Sequence, residues 1–315
     1  MSIHVLNPGM QTTIQAGPRI GRRHLGVPAS GAADPLSLAL ANKLVGNALL
    51  APALEVSYVG PRLVFDRNTT IAMTGATASA TLNGAPVSFH ESIAISAGDE
   101  LIVDPAPVGA RGYIAFAGGL YAEDVLGSPS TYLPAAIGGL EGRALVEGDT
   151  LLLQATDTKS ELLQTPAEFQ PPVTSRWALR ACRSVDTQLL QEGERAVLFD
   201  TNWIVGRRAD RMGLALEGAE LKVTSDGRLP SSPVFPGTIQ CPEDGVPLLL
   251  SIDAQTTGGY PRILQIARAD RHLIGQLRPG DHIRLLPRQP EEALTELRAK
   301  HDFWRKWLPG IEAVI

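Results

Sequence analysis

Three segments share one form: Gly98-Asp99-Glu100-Leu101-Ile102-Val103, Gly148-Asp149-Thr150-Leu151-Leu152-Leu153 and Gly280-Asp281-His282-Ile283-Arg284-Leu285. Each sets a Gly-Asp pair, suited to a tight turn, directly before a short aliphatic run, so each predicts a turn that launches a β-strand. Working outward, 31 glycines and 24 prolines punctuate 315 residues and fall between further short runs at 62–65, 70–73, 101–103 and 112–116. This spacing predicts a mainly β protein. A second echo pairs Gly60-Pro61-Arg62-Leu63-Val64-Phe65 with Gly218-Ala219-Glu220-Leu221-Lys222-Val223 and hints at two related β units, although Gly-turn-strand patterns also recur by chance.

With 44% hydrophobic residues the chain can bury two cores. The expected division is an N-terminal β subdomain over 1–170, a C-terminal β subdomain over 171–290 and a helical tail over 291–315, with the polar stretch 155–175, ending in Gln170-Pro171-Pro172, as linker. Helices are few. Asp34-Pro35 is a start signal, since the carboxylate can accept first-turn amides and proline loses nothing at the first helical position. Leu36, Ala39, Leu40 and Leu44 then share a face, and Gly46-Asn47 ends the helix. Residues 267–277 suit a second helix, and 291–308 a third with Leu294, Leu297, Trp304 and Leu308 inward.

The richest site candidate lies within 239–261, where Leu248, Leu249, Leu250 and Ile252 form an apolar run that opens into Asp253, Gln255, Thr256, Thr257, Gly258, Gly259 and Tyr260, with Gln240 just upstream. Polar groups held at a strand end can orient a ligand. Two cationic clusters, Arg22-Arg23-His24 ahead of Asp34 and Arg207-Arg208-Ala209-Asp210-Arg211, suit carboxylate or phosphate. Solvated arginines and a helix-capping Asp34 would explain them equally well. Arg111-Gly112-Tyr113 and Leu126-Gly127-Ser128-Pro129-Ser130-Thr131 read either as site loops or as ordinary loops of a sheet.

The net charge of −5, without a long basic run, argues against a nucleic-acid partner. Cys182 and Cys241 stand far apart with no companions at metal-ligand spacing, which predicts free thiols, a reducing compartment and no metal site. No apolar segment suits a membrane span or leader, so a soluble cytoplasmic protein is expected. A phosphate loop ending in Lys-Ser or Lys-Thr, a Gly-x-Ser-x-Gly elbow, a His-Glu-x-x-His motif and a biotinyl-lysine segment are all absent.

The chain resembles the family of 5-oxoprolinase C subunits, also called the Kip antagonist or allophanate hydrolase subunit 2 type, related to the carboxyltransferase region of urea carboxylase. The resemblance runs nearly end to end through Gly31-Ala32-Ala33-Asp34, Ala41-Asn42-Lys43-Leu44-Val45-Gly46-Asn47, Leu54-Glu55, Arg111-Gly112-Tyr113, Gly118-Gly119, Leu126-Gly127-Ser128, Gly139-Leu140-Glu141-Gly142-Arg143, Asp210-Arg211-Met212-Gly213, Ile239-Gln240 and 253–261. Cys241 and Ser251 depart from the expected aliphatic or small residues. The resemblance implies two cyclophilin-like β-barrel subdomains. It also implies two partners, a smaller B subunit of the Kip-inhibitor type and an A subunit of the LamB/YcsF type, and ATP-dependent opening of a lactam, 5-oxo-L-proline, to L-glutamate by the complex.

Under that reading ATP, with Mg²⁺ and shared with the partners, phosphorylates the amide oxygen to overcome amide resonance. Asp253, Gln255 and Arg211 are the expected catalytic residues. Thr256, Thr257, Gly258, Gly259, Tyr260, Gln240, Arg22, Asp34 and Arg111 are the expected binders of substrate or nucleotide. Two alternatives accompany it: carboxyl transfer with biotin as cofactor, and a non-catalytic antagonist that sequesters a Kip-inhibitor-type protein.

Overall fold

The computed structural model describes residues 2–154, 161–224 and 229–315. It is mainly β, with two compact units. The first comprises residues up to Ile20, Ser30–Val173 and Trp304–Val314; the second comprises Gly21–Ala29, Thr174–Phe303 and Ile315. The contiguous division expected at 170 and 290 is thus redrawn: 21–29 joins the second unit, and the tail is shared between the two. Residues 155–160 of the expected linker lie outside the described residues. The rest of that stretch up to Val173 belongs to the first unit, where Thr165 N–H bonds the His90 carbonyl at 2.8 Å and the Phe169 ring lies 5.7 Å from Trp304 and 6.3 Å from Trp307.

All three Gly-Asp segments form the same turn. Gly98, Gly148 and Gly280 take φ of 89°, 88° and 91°, the left-handed region that a type II turn demands at its third position. In each, the aspartate N–H closes the turn onto the carbonyl three residues back, and its carboxylate accepts the N–H of that same residue (Ser96, Val146 and Arg278). The strands Glu100–Val103, Thr150–Leu152 and His282–Arg288 follow at once. The second echo fails: Arg62–Phe65 is a strand, whereas at 218–223 only an isolated bridge from Val223 to Leu190 forms.

The first unit contains two sheets. One orders Thr150–Leu152, Ser2–Asn7, Arg62–Phe65, Glu100–Val103, Ala80–Leu82 and Ala85–Val87; the other orders Gln11–Gln15, Ala53–Ser57, Arg111–Phe116, Thr69–Gly75 and Ser92–Ile95. Their facing apolar residues, among them Ile3, Val5, Leu54, Leu63, Met73, Leu101, Ile114 and Phe116, make one core. Strand alternation sends Ala53, Ala72, Tyr113 and Ala115 to the opposite face, where helix α1 (Pro35–Leu44) packs through Leu38, Ala41 and Leu44. Three alanines on that face leave room for the helix.

The second unit is a closed seven-stranded barrel, ordered Arg176–Arg183, Arg262–Ile266, Thr238–Gln240, Leu248–Leu250, Gly213–Glu217, Asn202–Ala209 and His282–Arg288. Among the described residues, closure leaves the barrel itself without a free edge. The expected helix at 267–277 is a 3₁₀ run, Arg268–Gln276. Glu194–Asp200 forms a short helix, α2, that the sequence does not announce, and the tail forms α3, Pro290–Trp304. Leu297, Trp304 and Leu308 are buried as expected, but Leu294 is 45% exposed. No described helix is long and apolar enough to cross a membrane.

Candidate functional site

In the second unit the strand Leu248–Leu250 ends in the polar loop, whose backbone is pinned on two sides. Ser251 and Asp253 donate N–H bonds to the Met212 and Arg211 carbonyls at 3.0 and 2.8 Å. Thr257 and Gly258 pair with Pro233 and Ser232, and Val234 N–H bonds the Thr256 carbonyl at 3.1 Å. Under this loop Arg211 and Asp253 meet as a fork: Nε to Oδ2 at 2.6 Å and Nη2 to Oδ1 at 3.2 Å, with both residues buried. Each therefore compensates the other's buried charge.

Gln240, fully buried on the neighbouring strand, donates from Nε2 to the Tyr260 carbonyl at 3.2 Å and accepts at Oε1 from Gln255 Nε2 at 3.2 Å. Gly258 makes this possible, since a Cβ there would lie 2.7 Å from Gln240 Nε2. Gln255, Thr257 and Tyr260 are exposed, while Thr256, Gly258 and Gly259 are half-buried. The loop thus has a charged, buried foot and an uncharged polar rim.

Of the arginines ahead of Asp34, Arg23 is the one that reaches this region. Its Nη2 donates to the Val234 carbonyl and its guanidinium sits 5.1 Å from the Phe235 ring centroid. Among the described residues no carboxylate pairs with it, and burial lowers its pKa. Arg22 is exposed. Asp210 closes the 209–213 hairpin by accepting from Met212 and Gly213 N–H.

Asp34 and Arg111 fall in the first unit, in a network of their own. Asp34 caps α1, accepting from Ser37 N–H at 3.1 Å and Ser37 Oγ at 2.6 Å. Its own N–H bonds the Tyr113 hydroxyl at 2.8 Å, and that hydroxyl donates to Glu55 at 2.7 Å. Arg111 Nε stands 3.5 Å from the other Glu55 oxygen and its guanidinium lies over Tyr58. Burial, then the charges of Glu55 and Asp34, push the Tyr113 pKa up, so its proton stays in place. The Gly31 to Asp34, Glu55 and Arg111-Gly112-Tyr113 motifs therefore meet as one buried scaffold.

Arg19 escaped the sequence reading. Wholly buried, it donates to the carbonyls of Val125, Ser128 and Ser130 at 2.7, 3.3 and 2.7 Å, while Ser128 and Ser130 hydroxyls bond the Gly17 carbonyl. The hydroxyl run 128–131 thus holds a loop. Cys241 is buried with its thiol pushed up to about 11, chiefly by burial, which suits packing rather than nucleophilic work.

The chain belongs to the carboxyltransferase domain family, subdomains A and B. That family's model matches residues 25–287. The chain is 36% identical to the C subunit of 5-oxoprolinase from Escherichia coli over 93% of each chain, and 33% identical to its counterpart from Haemophilus influenzae over 96% of each. The urea amidolyase structure from K. lactis superposes with a TM-score of 0.91 at 30% identity, covering 97% of this chain and 20% of that one. The chain thus matches about a fifth of the length of that enzyme.

A Mg-ATP site at the loop would need carboxylate oxygens free to meet the metal. Among the described residues no three His, Cys, Asp or Glu side chains converge on a metal position. Both oxygens of Asp253, the loop's one carboxylate, face Arg211. The described loop therefore does not fit a metal-bound triphosphate.

Proposed function

We propose that this chain is the C subunit of an ATP-dependent 5-oxoprolinase, acting in the cytoplasm with a Kip-inhibitor-type B subunit and a LamB/YcsF-type A subunit to open 5-oxo-L-proline to L-glutamate. The observation that carries the proposal is the match over 93% of both chains to a protein of that name, together with the loop geometry. Arg211 and Asp253 serve as the foot that fixes 253–260. The exposed rim of Gln255, Thr257 and Tyr260, with Thr256, Gly258 and Gly259, contacts the small neutral lactam ring. Arg23, which donates to the Val234 carbonyl beside the loop, serves the substrate carboxylate. ATP hydrolysis is assigned to the assembled complex.

A second reading is favoured by the superposition on urea amidolyase: transfer of a carboxyl group from carboxybiotin to an amide nitrogen. A lactam and the biotin ureido ring present the same N–H and C=O edge, so the uncharged rim suits either. Incubating the three purified proteins with 5-oxoproline and ATP, with and without avidin, separates them. Avidin-insensitive formation of glutamate and ADP is expected. Turnover that needs a biotinylated protein and bicarbonate would overturn the proposal.

A further inference from the structure

The two glutamine amides of the site form a chain whose polarity has only one solution. A main-chain carbonyl can only accept, so at Tyr260 O the buried Gln240 must present its NH₂ group, at 3.2 Å. That places Gln240 Oε1 toward Gln255, which must then also present its NH₂ group, again at 3.2 Å. Gly258 lets Gln240 lie against the backbone, and complete burial of Gln240 fixes its position. One N–H of Gln255 is thereby spent. Its Oε1 and its second N–H have no partner among the described residues, and the side chain is exposed.

We propose that Gln255 gives Gln240 the hydrogen anti to its own Oε1. It then holds outward an edge carrying one acceptor and one donor side by side, which reads the cis-amide edge of a cyclic amide or cyclic urea. In a five-membered lactam, N–H and C=O are locked on the same side of the ring, so the ligand's N–H meets Gln255 Oε1 and its carbonyl meets the Gln255 N–H. A ring ketone or lactone lacks the donor and leaves Oε1 facing a ligand atom that cannot satisfy it. Gln240 is a positioning residue: it fixes the orientation of Gln255 without touching the ligand. This inference rests on the 5-oxoprolinase reading and adds the substrate feature that the site recognises.

The test uses the assembled three-protein enzyme with 5-oxo-L-proline as substrate, and compares two competitive inhibitors: 2-oxoimidazolidine-4-carboxylate, which has the cis-amide edge, and 3-oxocyclopentane-1-carboxylate, which lacks the N–H. In the wild-type complex the ketone should bind about tenfold to a hundredfold more weakly than the cyclic urea, the range expected when a polar site group is left unpaired. Gln255→Met, an exposed change that spares the fold, should raise KM about tenfold with kcat within about threefold, and should erase the difference between the inhibitors. Gln240→Met should shrink that difference while Gln255 remains. An active wild-type complex in which Gln255→Met leaves KM and the inhibitor difference unchanged, or lowers kcat alone, overturns the inference and leaves the functional reading standing. A wild-type complex that does not turn over 5-oxoproline overturns both.

Discussion

Asp253→Ala tests whether the Arg211–Asp253 fork is the foot of the site loop. The substitution removes a carboxylate that is 2% exposed and that accepts two bonds from a guanidinium 7% exposed. An exposed ion pair contributes about 0–1 kcal/mol, but withdrawing one partner from a buried pair costs about 3–5 kcal/mol, because the remaining charge loses its compensation without regaining water. Burial decides in favour of the larger figure. For a unit of this size 1 kcal/mol corresponds to about 3 °C, so the barrel's midpoint should fall by about 10–15 °C. Arg211→Met combined with Asp253→Leu removes both charges and should return to within about 2 kcal/mol of wild type. Urea unfolding followed by the fluorescence of Trp177 and Trp203, both buried in this unit, measures each variant, and the singles Arg211→Met and Asp253→Leu complete the double-mutant cycle. A loss below about 0.5 kcal/mol for Asp253→Ala, or a double variant as costly as the sum of the singles, would refute the argument.

Tyr113→Phe deletes the hydroxyl that accepts from Asp34 and donates to Glu55, and should cost the first unit about 1–3 kcal/mol in chemical denaturation; an unchanged midpoint would show that the network carries no stability. Gly258→Ala should raise KM for 5-oxoproline about tenfold, since the new Cβ displaces the Gln240 amide, at an overpacking cost of about 1–3 kcal/mol; an unchanged KM would count against the amide chain. Burial lowers the His90 pKa from 6.5 to about 4. The unfolded chain therefore binds a proton first as the pH falls from about 6.5 to about 4, and stability drops through that window by about 3 kcal/mol. His90→Asn, which tolerates the φ of 64° there, should flatten the pH dependence of the urea midpoint over that range. His272, whose pKa burial also lowers, contributes to the slope that remains; a slope identical to wild type would contradict the role given to His90.

Local turn chemistry was the most legible part of the sequence. The three Gly-Asp turns and the Asp34 cap are built from contacts within four residues, so residue type and spacing alone announce them. The closed barrel is different: its parallel pairing of Arg176–Arg183 with His282–Arg288 joins segments about a hundred residues apart, which no local pattern encodes. The site divided in the same way. Its loop was visible as a polar run after an apolar strand, but that Asp253 and Arg211 pair with each other below it was not, since 42 residues separate them. Arg19 carried no signal because its partners are main-chain carbonyls, which every sequence possesses. Arg23 could not be told from Arg22 before the fold showed which of the two reaches Val234 and Phe235.

As the C subunit of a lactam-opening enzyme, this chain should be indispensable to its partners. The most direct measurement is the rate of 5-oxoproline-dependent glutamate and ADP release by the purified Kip-inhibitor-type and LamB/YcsF-type partners, before and after this chain is added in equimolar amount. Negligible release is expected without the chain and steady stoichiometric turnover with it; an equal rate from the two partners alone would show that the chain is no part of the lactam-opening enzyme.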